Sequence, residues 1–173
     1  MSALRFFYLF IAINLLWSCQ KDEEYPPEPI IEFSDLVFLN NDSSLFKLNF
    51  TDGDGDIGLA QGDTFPPFDD ASKYYTNIFI TYKYWDTATL AWQYYKLPPV
   101  PPSTDSANFS YNYRIPRITN IGQNKTLKGE IIVALPGKGL LYIAGHTRFK
   151  YECYIVDRAL HESNLVETPE YIP

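Results

Sequence analysis

The sequence predicts an all-β fold, an antiparallel sandwich of seven to nine short strands. Three observations carry that reading. The chain holds 14 Tyr, 12 Phe and 3 Trp among 13 Pro, a mixture that favours strands and turns over helices. Several segments alternate apolar and polar residues with the period of two that a half-buried strand requires. Beyond residue 18, no run of ten or more residues keeps a helical period.

The expected strands follow in order. Residues 33–39 and 44–50 come first, and in the second Phe46, Leu48 and Phe50 alternate with Leu45, Lys47 and Asn49. Residues 76–85 and 91–97 are joined by Asp86-Thr87-Ala88-Thr89-Leu90, a hairpin connection in length and composition. Residues 109–115 alternate aromatic with polar. Residues 128–135 and 140–144 flank Pro136-Gly137-Lys138-Gly139, a strong turn signal. Residues 147–156 alternate cleanly, with Phe149, Tyr151, Cys153 and Ile155 on one face. A last strand is expected within 165–172. This number of strands matches a sandwich of the immunoglobulin or fibronectin-III type, with a small closed barrel as the alternative.

Three regions are expected: a signal at 1–18, an acidic tether at 19–29 and the sandwich domain at 30–173. Arg5 supplies a basic start, and Phe6 to Trp17 is an apolar run of twelve residues broken only by Asn14. A helix needs about twenty residues to cross roughly 30 Å of hydrocarbon, so a secretory signal is the better reading than a membrane span. Small Ser18 precedes Cys19, and Gln20-Lys21-Asp22-Glu23-Glu24 follows.

That stretch resembles the lipobox of bacterial lipoproteins, apart from bulky Trp17 at a position that usually holds a smaller residue. The resemblance implies cleavage before Cys19 and acylation of its thiol. The acidic run after Cys19 resembles the export signal of surface lipoproteins in Bacteroidetes-type bacteria, which implies an outer-membrane protein facing outward. Acyl chains contribute about 0.8 kcal/mol per buried methylene, so several on one cysteine hold a protein to a membrane.

The whole chain carries a net charge of −7, which becomes −8 once Arg5 leaves with the signal. So acidic a surface lacks the footprint of a nucleic-acid binder. With Cys19 taken by lipid, Cys153 has no partner for a disulfide.

One constellation carries chemistry: Asp52-Gly53-Asp54-Gly55-Asp56-Ile57-Gly58. Carboxylates at alternate positions, separated by glycines, let a tight loop aim hard oxygens at one point, which suits Ca²⁺. Counted from Asp52, Asp63 falls at position twelve, where an EF-hand places its bidentate glutamate. Ile57 in place of the sixth-position glycine, and a strand rather than a helix before the loop, exclude an EF-hand proper. The expectation is a calcium loop between strands with Asp52, Asp54, Asp56 and Asp63 as ligands. The competing reading is a turn whose aspartates cap backbone amides and face water.

The segment Asp157-Arg158-Ala159-Leu160-His161-Glu162-Ser163-Asn164 looks like the ending of bacterial Ig-like extracellular domains, departing from it at Leu160 and His161. With the acidic loop, it resembles a family of small Bacteroidetes lipoproteins with Ig-like folds and no assigned activity. In a seven-strand sandwich the loops after the second and sixth strands share one end. Asp157, and Asn164 with it, are therefore expected to approach the acidic loop, with Asp157 as a further metal ligand.

Other residues are weaker candidates. His146 and His161 lack companions at metal-ligand spacing. Cys153 lies on an apolar strand face, as an inert core thiol does. No nucleophile elbow or spaced carboxylate pair supports an enzyme. Among the aromatics of 74–95, Trp85 and Trp92 are the candidates to face a ligand, a sugar ring or a protein. The expected function is non-catalytic: a surface-displayed binding or adhesion module, stiffened by Ca²⁺ and held to the membrane by lipid. The alternative is an accessory lipoprotein of a nutrient-uptake or envelope complex that binds glycan.

Overall fold

The computed structural model describes residues 25–99, 104–118, 125–137 and 146–172. Residues 1–24, with Cys19, and the expected strand at 140–144 lie outside them. Among the described residues there are ten strands: β1 (Ile30–Phe38), β2 (Ser43–Asp52), β3 (Ile78–Asp86), β4 (Ala91–Tyr94), β5 (Lys96–Leu97), β6 (Ala107–Asn108), β7 (Ser110–Tyr113), β8 (Leu127–Pro136), β9 (Phe149–Ile155) and β10 (Val166–Glu167). Helical structure among them is one 3₁₀ turn, Lys73–Tyr75, capped by the Ser72 hydroxyl, which accepts from the Tyr74 amide. The all-β reading holds.

One sheet has the order β1-β2-β8, and a second runs β10-β9-β3-β4 with β7 also paired to β3. Every pairing between named strands is antiparallel. β4 takes residues 83–86 of β3 and β7 takes residues 78–81, while β9 runs along residues 78–84. The remaining pair, β5 and β6, forms a two-stranded ribbon.

The inward rows of the two sheets make one core. Phe46, Leu48 and Phe50 of β2 join Ile78, Ile80 and Tyr82 of β3 and Phe149, Tyr151, Cys153 and Ile155 of β9. Between the sheets the rings of Phe46 and Tyr151 meet edge to face, centroids 6.1 Å apart, the geometry that aromatic quadrupoles favour. Cys153 is fully buried, and burial raises its thiol, so it stays protonated and unreactive in the folded chain.

Two boundaries differ from expectation for local reasons. The run at 91–97 splits at Tyr95, whose carbonyl accepts the Phe109 amide and so turns the chain out of the β3 ladder into the β5–β6 ribbon. The last strand shrinks to Val166–Glu167 and a bridge from Phe149 to Tyr171. Pro169 stands between these contacts and has no N–H to give the ladder.

The Tyr151 hydroxyl is buried with no hydrogen-bond partner among the described residues. An unpaired buried hydroxyl carries a desolvation cost of about 1–3 kcal/mol. Tyr151→Phe is therefore expected to leave the melting temperature unchanged or raise it. A drop of several degrees in a thermal melt would mean that the hydroxyl has a partner.

Candidate metal centre

The site begins where the inward row of β2 ends. Burial alternates along that strand, so Ser44, Phe46, Leu48 and Phe50 are followed on the same core face by Asp52. Strand periodicity thus drives a carboxylate into the apolar end of the sandwich, where its relative exposure is 0%. Asp52 Oδ2 accepts the Ile57 amide at 2.8 Å and closes the loop. Among the described residues, Asp52 Oδ1 is buried with no hydrogen-bond partner, and Asp56 Oδ1 is in the same condition.

Beyond the loop the chain is pinned hard. Ile57 and Leu59 are buried, and the Leu59 amide donates to the Ile115 carbonyl at 2.8 Å. Gly55 has φ +70, and a Cβ built on it would stand 1.8 Å from the Lys125 carbonyl oxygen. Only glycine fits both constraints. Gly55→Ala is expected to cost at least about 2 kcal/mol of stability, from left-handed strain and the backbone clash together; a urea titration reads it directly.

An oxygen from each of Asp52, Asp54 and Asp56 lies within 4.8 Å of the others. No described basic side chain forms an ion pair with any of the three. Two like charges at that separation repel by roughly 3 kcal/mol at an effective dielectric near 20. Burial pushes the Asp52 carboxyl up to about 6, with Asp54 and Asp56 adding to the rise. Asp56 is raised as well, by burial first and then by Asp157 and Asp54. Hard, anionic oxygens with no counter-charge among the described residues are a donor set that fits Ca²⁺.

The structure brings Asp157 to this end of the sandwich, as the shared-end argument expects. Its charge raises Asp56, while the nearby backbone amides of Arg158 and Ala159 pull the other way. Both oxygens of Asp157 are already engaged within its own turn, Oδ1 by the His161 amide at 2.8 Å and Oδ2 by His161 Nδ1 at 2.9 Å. That contact raises His161. Asp157 therefore stands beside the three-carboxylate cluster rather than in it.

Asp63 is not brought to the cluster. Its carboxylate takes the Ala60 amide and the Arg158 guanidinium, contacts that hold it below the usual carboxylate range. Arg114 fixes the same turn by donating to the carbonyls of Ala60 and Asp63. An arginine thus holds the carboxylate that EF-hand spacing assigns to a metal. Asn164 is also spoken for, accepting from the Ile31 amide and donating to the Ile31 carbonyl.

Trp85 and Trp92 face each other across β3 and β4, ring centroids 5.6 Å apart and tilted by 73°. Arg148 lies over both rings and Lys150 over Trp92. Both tryptophans are half-buried. Further along this face Lys83 and Lys150 stand directly opposite, and Glu167 reaches both. Those contacts, Lys150 first, push Glu167 down to about 2.

A depressed carboxyl contributes stability that is present above its unfolded value and lost as pH falls through the folded one. Unfolding free energy is therefore expected to drop between about pH 4.5 and 2. The Glu167 share is about 1 kcal/mol, because its side chain is 41% exposed and solvent screens the pairs. Glu167→Gln should flatten that part of the pH–stability curve.

Sequence reasoning missed the partners of this end: His161 on Asp157, Arg158 on Asp63, and the backbone of 25–26 and 125 against the acidic loop.

No protein-family model and no curated protein sequence matches the chain. Among solved structures it is similar to a catalytically inactive OgpA from Akkermansia muciniphila in complex with an O-glycopeptide (glycodrosocin) substrate, at 11% identity and a TM-score of 0.33. The match covers 90% of this chain and 34% of that one, so this chain spans about a third of that protein's length.

Proposed function

We propose that this protein is a non-catalytic binding or adhesion module of the small, Ig-like, Bacteroidetes-type lipoproteins. It is lipidated at Cys19, displayed outward from the outer membrane, and stiffened by Ca²⁺ held among Asp52, Asp54 and Asp56. The observation that carries the metal reading is Asp52: a fully buried carboxylate with one oxygen lacking a donor, set among two further carboxylates, with no basic partner among the described residues. The alternative that the aspartates merely cap amides accounts for Asp52 Oδ2 and leaves Oδ1 unexplained. The lipid reading rests on Ser18-Cys19 and the acids that follow.

Calorimetric titration of the full chain tests the metal reading. One Ca²⁺ per chain is the expected stoichiometry, and Asp54→Asn with Asp56→Asn should abolish the heat. An absence of binding to the parent protein at millimolar Ca²⁺ overturns it. Growth with a radiolabelled fatty acid tests the anchor: label should enter the parent and be lost in Cys19→Ala.

The second reading, a glycan-binding accessory lipoprotein of an uptake or envelope complex, draws on the Trp85–Trp92 pair and the cations stacked on it. Glycan-array signal that disappears in Trp85→Ala or Trp92→Ala would favour it; an array blank for the parent would remove its support.

A further inference from the structure

Tyr25 and Pro26, the first described residues, pack against the acidic loop. The Gly53 amide, in the middle of the acidic loop, donates to the Pro26 carbonyl at 3.1 Å. A Cβ built on Gly53 would lie 2.3 Å from the carbonyl oxygens of both Tyr25 and Pro26, so this glycine is what lets the two backbones touch. The Tyr25 ring lies under the Lys128 ammonium, 3.8 Å from its centroid, and its hydroxyl accepts from the same group. The loop is held from a second side by the Thr126 hydroxyl, which donates to the Gly53 carbonyl at 3.2 Å. On a third side the turn that begins at Asp157 lies close enough for its charge to act on Asp56. The acidic loop is thus the junction of the N-terminal segment, the start of β8 and the turn after β9.

We propose that cation binding at Asp52, Asp54 and Asp56 clasps the Tyr25–Pro26 segment to the sandwich, so that metal occupancy sets whether the domain is fixed to its N-terminal segment or swings from it. The proposal rests on the cation reading above. Its physical basis is that Gly53 lies between two of the carboxylates that a cation would draw together. The loop conformation that presents the Gly53 amide to Pro26 is the one in which Asp52, Asp54 and Asp56 converge. Without the cation, mutual repulsion favours opening that loop, and the Pro26 contact opens with it. Linkage makes the coupling reciprocal: whatever factor the cation contributes to docking, docking contributes to cation affinity.

The test uses the full chain with Ca²⁺ or with chelator, and two readouts. Hydrogen exchange at the Gly53 amide, the donor to Pro26, should be at least tenfold slower with Ca²⁺, and should lose that dependence in Asp54→Asn. Tyr25→Ala, which removes the Lys128 contact and leaves all three carboxylates, should weaken calorimetric Ca²⁺ affinity by at least threefold. If Ca²⁺ binds but exchange at the Gly53 amide is unchanged, or if Tyr25→Ala binds as tightly as the parent, the clasp is wrong and the cation site stands. If the parent binds no Ca²⁺, the site and the clasp fall together.

Discussion

Calcium at a hundredfold excess over its dissociation constant is expected to raise the unfolding free energy by about 2.7 kcal/mol. For a domain of this size that is a rise in melting temperature of about 5–11 °C. The effect arises because the ion binds the folded loop, where Asp52, Asp54 and Asp56 converge, and not the unfolded chain, where they separate. The double variant Asp54→Asn, Asp56→Asn should show no shift. In chelator it should melt above the parent, since two of the three repelling charges are gone while Asp52 Oδ2 keeps the Ile57 amide. Mg²⁺ should shift the parent less, because it dehydrates reluctantly and demands a tighter octahedron. Identical melting curves with Ca²⁺ and chelator would leave the buried Asp52 oxygen without an explanation.

Phe46→Ala should be the most damaging single truncation of the core, at about 3–5 kcal/mol. Phe46 has 0% exposure and lies between Phe33, 5.5 Å away on its own sheet, and Tyr151 on the facing sheet. Removing it opens a cavity between the two layers, and the neighbouring rings are too large and too well fixed to collapse into the space. Urea unfolding should show a lower midpoint at an unchanged slope, the signature of lost stability without a change in the denatured state. A loss below 1 kcal/mol would mean that the two sheets are not held together where these rings place the contact.

The core was legible because period-two alternation and a two-layer sandwich answer to the same physics. Phe46, Leu48 and Phe50, and later Phe149, Tyr151, Cys153 and Ile155, stand on one face in the sequence and on one face in the fold. The same alternation, carried one step further along β2, places Asp52 on the apolar face. That step distinguishes a buried ligand from a solvated turn, and it needs only the strand to continue two residues beyond Phe50. Asp157 was reachable from the ends that sandwich loops share.

Asp63 was not legible, because spacing along the chain says nothing of an arginine ninety-five residues away that captures its carboxylate. The β5–β6 ribbon was hidden for a related reason. Two-residue strands have no period, and their pairing depends on where Tyr95 sends the chain. The Tyr25–Gly53 contact is wholly tertiary: Gly53 reads as loop flexibility, whereas its lack of a Cβ is what admits another backbone.

A crystal structure of the full chain grown in millimolar Ca²⁺ tests the central claim most directly. The account predicts one ion with Asp52 Oδ1 and an oxygen from each of Asp54 and Asp56 at 2.3–2.6 Å, the range of calcium–oxygen bonds. Asp52 Oδ1 bonded instead to a water or an amide, with no ion among the three carboxylates at that concentration, would contradict it.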